Sequence, residues 1–286
     1  MSEQTTRTPD GEQDYAGTPR PDAMLPALDE GQLEALRQVG REWDQTSAEP
    51  RVWRQALPVD PGLTFVLSGG AAILARYGGF GVQPWETVLV LSAVAALWLV
   101  VAVYFLGDIS AHFNPATTLA FALRRDMDWV MAGAYWVVQF AAAVCGALLA
   151  RGFFGPAGHL AATMPKPGQS WQAAGFEVII TFGLVLMILN MANGPKLNGP
   201  FIPLAVGAYI MAWGTMGGPY EGASMNPARS FGPDVAIGNL STWWVYLIGP
   251  AAGAVIAVGV AYVLRGPAKA QEAMAAEGTP LDRVTT

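Results

Sequence analysis

The sequence predicts an all-α membrane protein in which six transmembrane helices and two re-entrant half-helices form an inverted repeat. Three observations carry this expectation. Charge is scarce where the chain is apolar: of its 16 Lys and Arg and 22 Asp and Glu, only 15 fall within residues 61–265. That stretch is about 7% charged, against roughly 25% for an ordinary soluble domain. Five uncharged runs within it are long enough to cross a bilayer, which takes about 20 apolar residues as helix. Finally, Asn114-Pro115-Ala116 recurs as Asn226-Pro227-Ala228, 112 residues later.

Residues 1–60 are polar and acidic and carry the net charge of −6. Most of this stretch is expected to be a disordered cytoplasmic tail, because so polar a segment buries too little apolar surface to order itself. From Asp29 to Trp43, however, Leu33, Leu36, Val39 and Trp43 share one helical face, which predicts an amphipathic helix over 29–43. No signal peptide is visible. Residues 266–286 read as a second disordered tail.

The first span, from Pro61, ends near Arg76 and extends to about Tyr77; Pro58 and Pro61 argue for a disturbed start. The remaining runs are Thr87 to Gly107, Trp129 to Ala150, Val178 to Pro195, Leu197 to Tyr220, and Val235 to Leu264, the last containing a loop. Trp85, Tyr104, Trp129, Trp171, Tyr220, Trp243 and Trp244 cluster at the run ends, as interfacial aromatics do. Cys145, inside an apolar run, reads as a small buried hydrophobe. Arg51, Arg54, Arg124 and Arg125 lie near span ends on the side shared by both tails, which places both termini in the cytoplasm. The expected location is a bacterial-type inner or plasma membrane.

Three spans separate the two tripeptides, so the copies sit on opposite faces and the halves, 61–151 and 172–265, have inverted topology. The segments after them, Thr117 to Leu123 and Ser230 to Ile237, are too short to cross. Asn is a preferred N-cap and Pro is favoured at the first helical position, so each tripeptide starts a helix. The positive helix ends then meet at the midplane. An Asn whose carbonyl caps its own helix holds its amide NH₂ outward, as a donor for a passing neutral molecule. Arg229, one turn beyond Asn226, is costly in an apolar setting and is expected to face an aqueous cavity.

Residues Ser110 to Thr118 (Ser-Ala-His-Phe-Asn-Pro-Ala-Thr-Thr) and Ser224 to Pro233 (Ser-Met-Asn-Pro-Ala-Arg-Ser-Phe-Gly-Pro) resemble the two signature loops of the aquaporin, or major intrinsic protein, family. The resemblance covers about 62–265 and includes Gln139, and Glu177 with Thr181. It implies a homotetramer with one pore per subunit, conducting water and small neutral solutes through the lipid bilayer. It also implies pore motifs at Asn114, Pro115, Ala116, Asn226, Pro227 and Ala228. By the same resemblance, the selectivity filter comprises Arg229, Gly214, Ala223 and Ala95, or Val94 if the register shifts. Water-selective members place an aromatic residue and a His at the two helix positions of this filter, and both are missing here. Glycerol-type members usually share Gly at 214 but carry Asp after the Arg, where this chain has Ser230. A wide filter passing water and glycerol or urea, while excluding protons and ions, is the expectation. The first span lacks the family's paired Glu, and Asp108 stands where members often have His.

Glu177 is expected to accept hydrogen bonds from re-entrant-loop backbone. His112 is expected either to line the inner vestibule or to serve as a structural His. Strict water selectivity is the nearest alternative function. A secondary transporter would need further ion-binding groups at the midplane, and a scaffold protein would not need both tripeptides and Arg229 intact. Neither an enzyme, nor a metal or cofactor site, nor a nucleic-acid partner is expected, because no nucleophile with a base and no ligand set appears.

Overall fold

A computed structural model describes residues 60–77, 84–106, 112–192 and 201–266. Among these are eight α-helices and one 3-10 turn. In chain order they are α1 (Asp60–Tyr77), α2 (Pro84–Leu106), the half-helix α3 (Pro115–Leu123), α4 (Trp129–Phe154), the 3-10 turn (Ala157–Ala161), α5 (Ser170–Ala192), α6 (Ile202–Glu221), the half-helix α7 (Pro227–Ile237) and α8 (Trp243–Arg265). The expected helix over 29–43, both tails beyond these limits, and Asp108 lie outside the described residues.

Four helices, α2, α4, α5 and α8, are long and apolar enough to cross a bilayer. At about 1.5 Å per residue each reaches beyond roughly 30 Å. The 20-residue α6 and the 18-residue α1 are shorter and carry more glycine, and they complete the bundle of six by packing lengthwise on spanning helices. The packing is that of an inverted repeat. Helix α1 packs on α4 within the first half, as α5 does on α8 within the second, and α2 meets α6 across the halves. Each half-helix lies on the closing helix of the opposite half: α3 on α8, and α7 on α4.

Close helix approach depends on glycine, because without a hydrophobic drive in lipid the contacts are made by backbones drawn together. A Cβ at Gly249 of α8 would stand 2.9 Å from the Ala174 carbonyl oxygen of α5, and one at Gly253 only 2.6 Å from that of Val178. In α6, a Cβ at Gly207 would meet the Ala96 carbonyl of α2 at 3.2 Å.

Three readings change on folding. Cys145 is exposed on α4 rather than buried, because residues facing lipid and residues facing protein are equally apolar in a membrane helix. Helix α5 begins at Ser170, eight residues before the uncharged run that announced it, since Glu177 lies inside the helix. Of the two arginines after α3, only Arg125 faces solvent. Arg124 is buried, with its Nε 3.3 Å from Asp126 Oδ2 and its guanidinium 5.7 Å from the Tyr262 ring centroid.

Candidate conduction site

The two tripeptides build nearly superimposable helix starts. Asn114 and Asn226 are the N-caps of α3 and α7, with φ/ψ of −152/118 and −152/108. Asn114 Oδ1 accepts from the Ala116 N–H at 2.9 Å, and Asn226 Oδ1 from the Ala228 and Arg229 N–H groups at 3.1 and 3.2 Å. Pro115 and Pro227 occupy the first helical positions, where a missing N–H costs nothing. Their carbonyls each accept an indole N–H, from Trp136 at 3.2 Å and from Trp243 at 3.3 Å. Trp243, read from sequence as an interfacial aromatic, is therefore half-buried against the second tripeptide and packs on Phe140 and Phe231.

The side-chain amides cross between the halves. Asn114 Nδ2 donates to the Met225 carbonyl at 2.7 Å, and Asn226 Nδ2 to that of Phe113 at 2.8 Å. Each amide has two N–H bonds. One braces the opposite loop, leaving the second as the donor directed elsewhere. The accepting residues are themselves unusual, with φ of 47° at Phe113 and 54° at Met225. A left-handed non-glycine residue costs about 1–2 kcal/mol, so the crossed bonds hold backbone that local preference would not adopt.

The second loop is also held from below. Glu177 Oε1 accepts from the Ser224 N–H at 2.6 Å and Oε2 from the Met225 N–H at 2.8 Å. Glu221, at the end of α6, accepts from the Ala223 N–H at 2.7 Å. A hydroxyl chain runs beside this, from Thr163 to Ser230 at 2.6 Å, from Ser230 to Ser224 at 2.6 Å, and from Ser224 to the Asn226 carbonyl at 2.8 Å. Glu221 and Thr163 were not singled out in the sequence, and Ser224 was read only as part of the second signature loop. The signal was present for Glu221: a carboxylate at the end of an apolar run, directly before Gly222 and the second loop.

Arg229 Nη1 donates to the Ala161 carbonyl at 3.0 Å. That carbonyl is presented by a single left-handed turn, with φ of 60°, 48°, 54° and 56° at Gly158, His159, Leu160 and Ala161. Leu160 anchors the turn by burying fully among Ala72, Ala147 and Ala236. Gly158 is required twice over, by its φ and because a Cβ there would lie 2.5 Å from the Ala71 carbonyl oxygen.

Of the other residues expected at the filter, Ala223 is buried with φ 43°, and Gly214 abuts α2, where an added Cβ would stand 2.8 Å from Ser92 Oγ. Ala95 is buried against Leu63, Leu67, Leu99 and Phe113, whereas its neighbour Val94 is half-buried. His112 is buried too. Its Nδ1 lies 3.2 Å from Thr118 Oγ1, which also accepts from Gln139 Nε2 at 3.1 Å, and its ring stacks on Phe121 at 4.6 Å. This is the arrangement of a packed structural histidine. Among the described residues no cluster of His, Cys, Asp and Glu is suited to a metal ion.

Six packed helices enclosing two inward half-helices, joined tip to tip by reciprocal asparagine bonds, define a duplicated multi-pass membrane protein. The chain belongs to the major intrinsic protein family, whose model matches residues 62–262. It is 42% identical over 181 residues to Aquaporin NIP1-1 of Oryza sativa subsp. japonica, a match covering 60% of this chain and 62% of the relative. It is 36% identical over 200 residues to Aquaporin NIP3-1 of the same plant, covering 69% and 63%. Nodulin-26 of Glycine max is 35% identical over 213 residues, covering 71% and 75%. The chain thus spans about three fifths of the length of most of these curated relatives. In fold it is similar to the X-ray structure of the aquaglyceroporin from Plasmodium falciparum, with a TM-score of 0.62 and 21% identity, covering 74% of this chain and 94% of that one. The protein is an integral multi-pass membrane protein. Its named relatives are plant proteins and lend no support to a bacterial membrane.

Proposed function

We propose that the protein is a passive channel for water and small uncharged solutes such as glycerol or urea, and that it excludes protons and ions. The observation that carries this reading is the reciprocal pair Asn114 to Met225 and Asn226 to Phe113. It fixes two donors and two positive helix ends at one point between the halves. Such a point suits a neutral molecule offering a lone pair and disfavours a cation. Arg229, with its guanidinium held on Ala161, adds a fixed positive charge one turn away.

The solute range follows from the small side chains expected at the constriction. Gly214, Ala223 and Ala95 (or Val94) leave Arg229 as the one large filter residue, so the opening is wide enough for a polyol. A coupled carrier is disfavoured although Glu221 adds a second buried carboxylate. Both Glu177 and Glu221 accept backbone N–H groups and serve the loop rather than a coupling ion. We further propose a homotetramer with both termini cytoplasmic, as the resemblance and the arginine placement imply.

Stopped-flow swelling of reconstituted vesicles tests the reading, run in parallel for water, glycerol and urea. Rapid, non-saturating flux of all three is expected. Water flux without solute flux would leave a strictly water-selective channel, and saturable flux that depends on an ion gradient would replace the channel by a carrier.

A further inference from the structure

The second re-entrant loop is held by two carboxylates, and only one of them was foreseen. Glu177 of α5 takes the N–H groups of Ser224 and Met225, and Glu221 of α6 takes that of Ala223. Three consecutive backbone donors, ending just before Asn226, are thus all received by buried acidic side chains. Both acids are essentially fully buried, Glu177 at 0% and Glu221 at 1% exposure. A buried carboxylate on an apolar helix is costly unless it performs a fixed task.

Glu221 is also fixed in place. Its backbone carbonyl accepts the hydroxyl of Tyr246, fully buried in α8, at 2.6 Å. It is followed by Gly222, whose φ of 106° is left-handed and whose added Cβ would stand 2.6 Å from Thr163. The chain therefore turns sharply out of α6 around a point pinned by α8 and by residue 163. The residue delivered by this turn is Ala223, itself left-handed at φ 43°. An alanine in that region costs about 1–2 kcal/mol and stays there only if something holds it. The bond from its N–H to Glu221 Oε1, at 2.7 Å and spanning two residues, is what holds it there.

Glu221 acts on the loop that carries Arg229, through the N–H of Ala223. Five residues before Asn114 the sequence has Ile109, whose side chain carries no acceptor.

We propose that Glu221 is a positioning residue that sets the solute specificity of the constriction by holding Ala223 in its left-handed conformation. This rests on the reading of Ala223 as part of the filter. Glu177 and the crossed asparagines secure Met225 and Asn226, so the two acids divide the loop. Glu177 places the tripeptide, and Glu221 places the filter residue three positions before it. With Glu221 intact, Ala223 is fixed opposite its neighbours and the opening has one size. Without it, residue 223 relaxes toward ordinary backbone and size discrimination weakens.

The test is vesicle permeability for water and glycerol with wild type, Glu221→Ala and Glu221→Gln. Gln retains an oxygen able to accept the Ala223 N–H, whereas Ala does not. The expected result is a glycerol-to-water permeability ratio raised about threefold or more in Glu221→Ala, the scale of one lost hydrogen bond, with Glu221→Gln close to wild type. A role confined to folding would lower both fluxes together and leave the ratio alone. An unchanged or lowered ratio in Glu221→Ala, or a Gln variant matching the Ala variant, overturns the proposal. If Glu221→Ala does not yield folded protein, Glu221→Asp carries the same expectation, because it keeps the carboxyl group but withdraws the acceptor by one methylene. A wild type that conducts neither water nor glycerol would instead overturn the channel reading itself.

Discussion

Asn114 and Asn226 hold each other's loops: each side-chain amide donates to the carbonyl that precedes the other asparagine, at 2.7 and 2.8 Å. Each asparagine at the same time caps its own half-helix through Oδ1. One residue type thus performs two tasks that require an acceptor and a donor at fixed separation on one rigid amide. Serine, threonine and aspartate all cap helices, but none supplies the NH₂ on the far side of a planar group. The relation also explains how two left-handed residues, Phe113 and Met225, are tolerated at the meeting point.

Asn226→Asp separates the two tasks. The carboxylate retains the caps to Ala228 and Arg229 but sets an oxygen against the Phe113 carbonyl, which is an acceptor. A destabilisation of about 2 kcal/mol is expected, because a buried acceptor loses its partner and meets a like dipole. Thermal unfolding in detergent should show a lowered midpoint, and water permeability should fall about tenfold or more with the loss of the central donor. A variant that melts and conducts like the wild type would remove the crossed bond from any account of the fold.

How much of this was legible in the sequence varies with the range of the interaction. The half-helix starts were readable because capping is local: an Asn followed by a Pro fixes a helix boundary within two residues. The spans were readable because the bilayer acts on composition. What a given side chain faces was not. Cys145 and Ala143 are neighbours on α4 in an equally apolar run, yet one is exposed and the other is buried. Glu177 shows the same limit differently. A rule that ends a span at a charge cut α5 short, because the donors that receive its carboxylate stand 47 and 48 residues further along the chain. The left-handed turn at Gly158 to Ala161 carries no local signal beyond a single glycine, and its form depends on Leu160 burying among three other elements.

Glycine placement gives a sharper prediction about packing. A Cβ at Gly232 of α7 would overlap the carbonyl of Ala143 on α4, backbone against backbone, with no flexible side chain to yield. Gly232→Ala should destabilise by about 2 kcal/mol or more, since overpacking that moves a helix costs on that scale. At Gly259 of α8 nothing stands within 4 Å of the added atom. There the same substitution should be neutral or stabilising by up to about 1 kcal/mol, the helix propensity of alanine over glycine. Paired thermal melts check both signs at once, and equal shifts in the two variants would contradict the packing described for α4 and α7.

Arg229 combines a charge with a geometry, and two substitutions separate them. Its Nη1 bond to the Ala161 carbonyl fixes the guanidinium, and that carbonyl is aimed by a turn whose backbone is strained at three successive residues, His159, Leu160 and Ala161. Arg229→Val removes both the charge and the bond, so a cation approaching the crossed asparagines loses the repulsion of a fixed positive group. In a poorly screened site such a charge is worth several kcal/mol at contact distances. Proton leak, followed with a pH-sensitive dye inside reconstituted vesicles, should therefore rise about tenfold or more, while water permeability persists. Arg229→Lys keeps the charge but replaces a forked planar donor with a mobile point donor. It should still exclude protons, yet alter the balance of glycerol over water, because the constriction loses its fixed wall. If the lysine variant leaks protons as freely as the valine variant, the barrier resides in the geometry held by Ala161 rather than in the charge. If neither leaks, proton exclusion belongs to the helix ends at Asn114 and Asn226 alone.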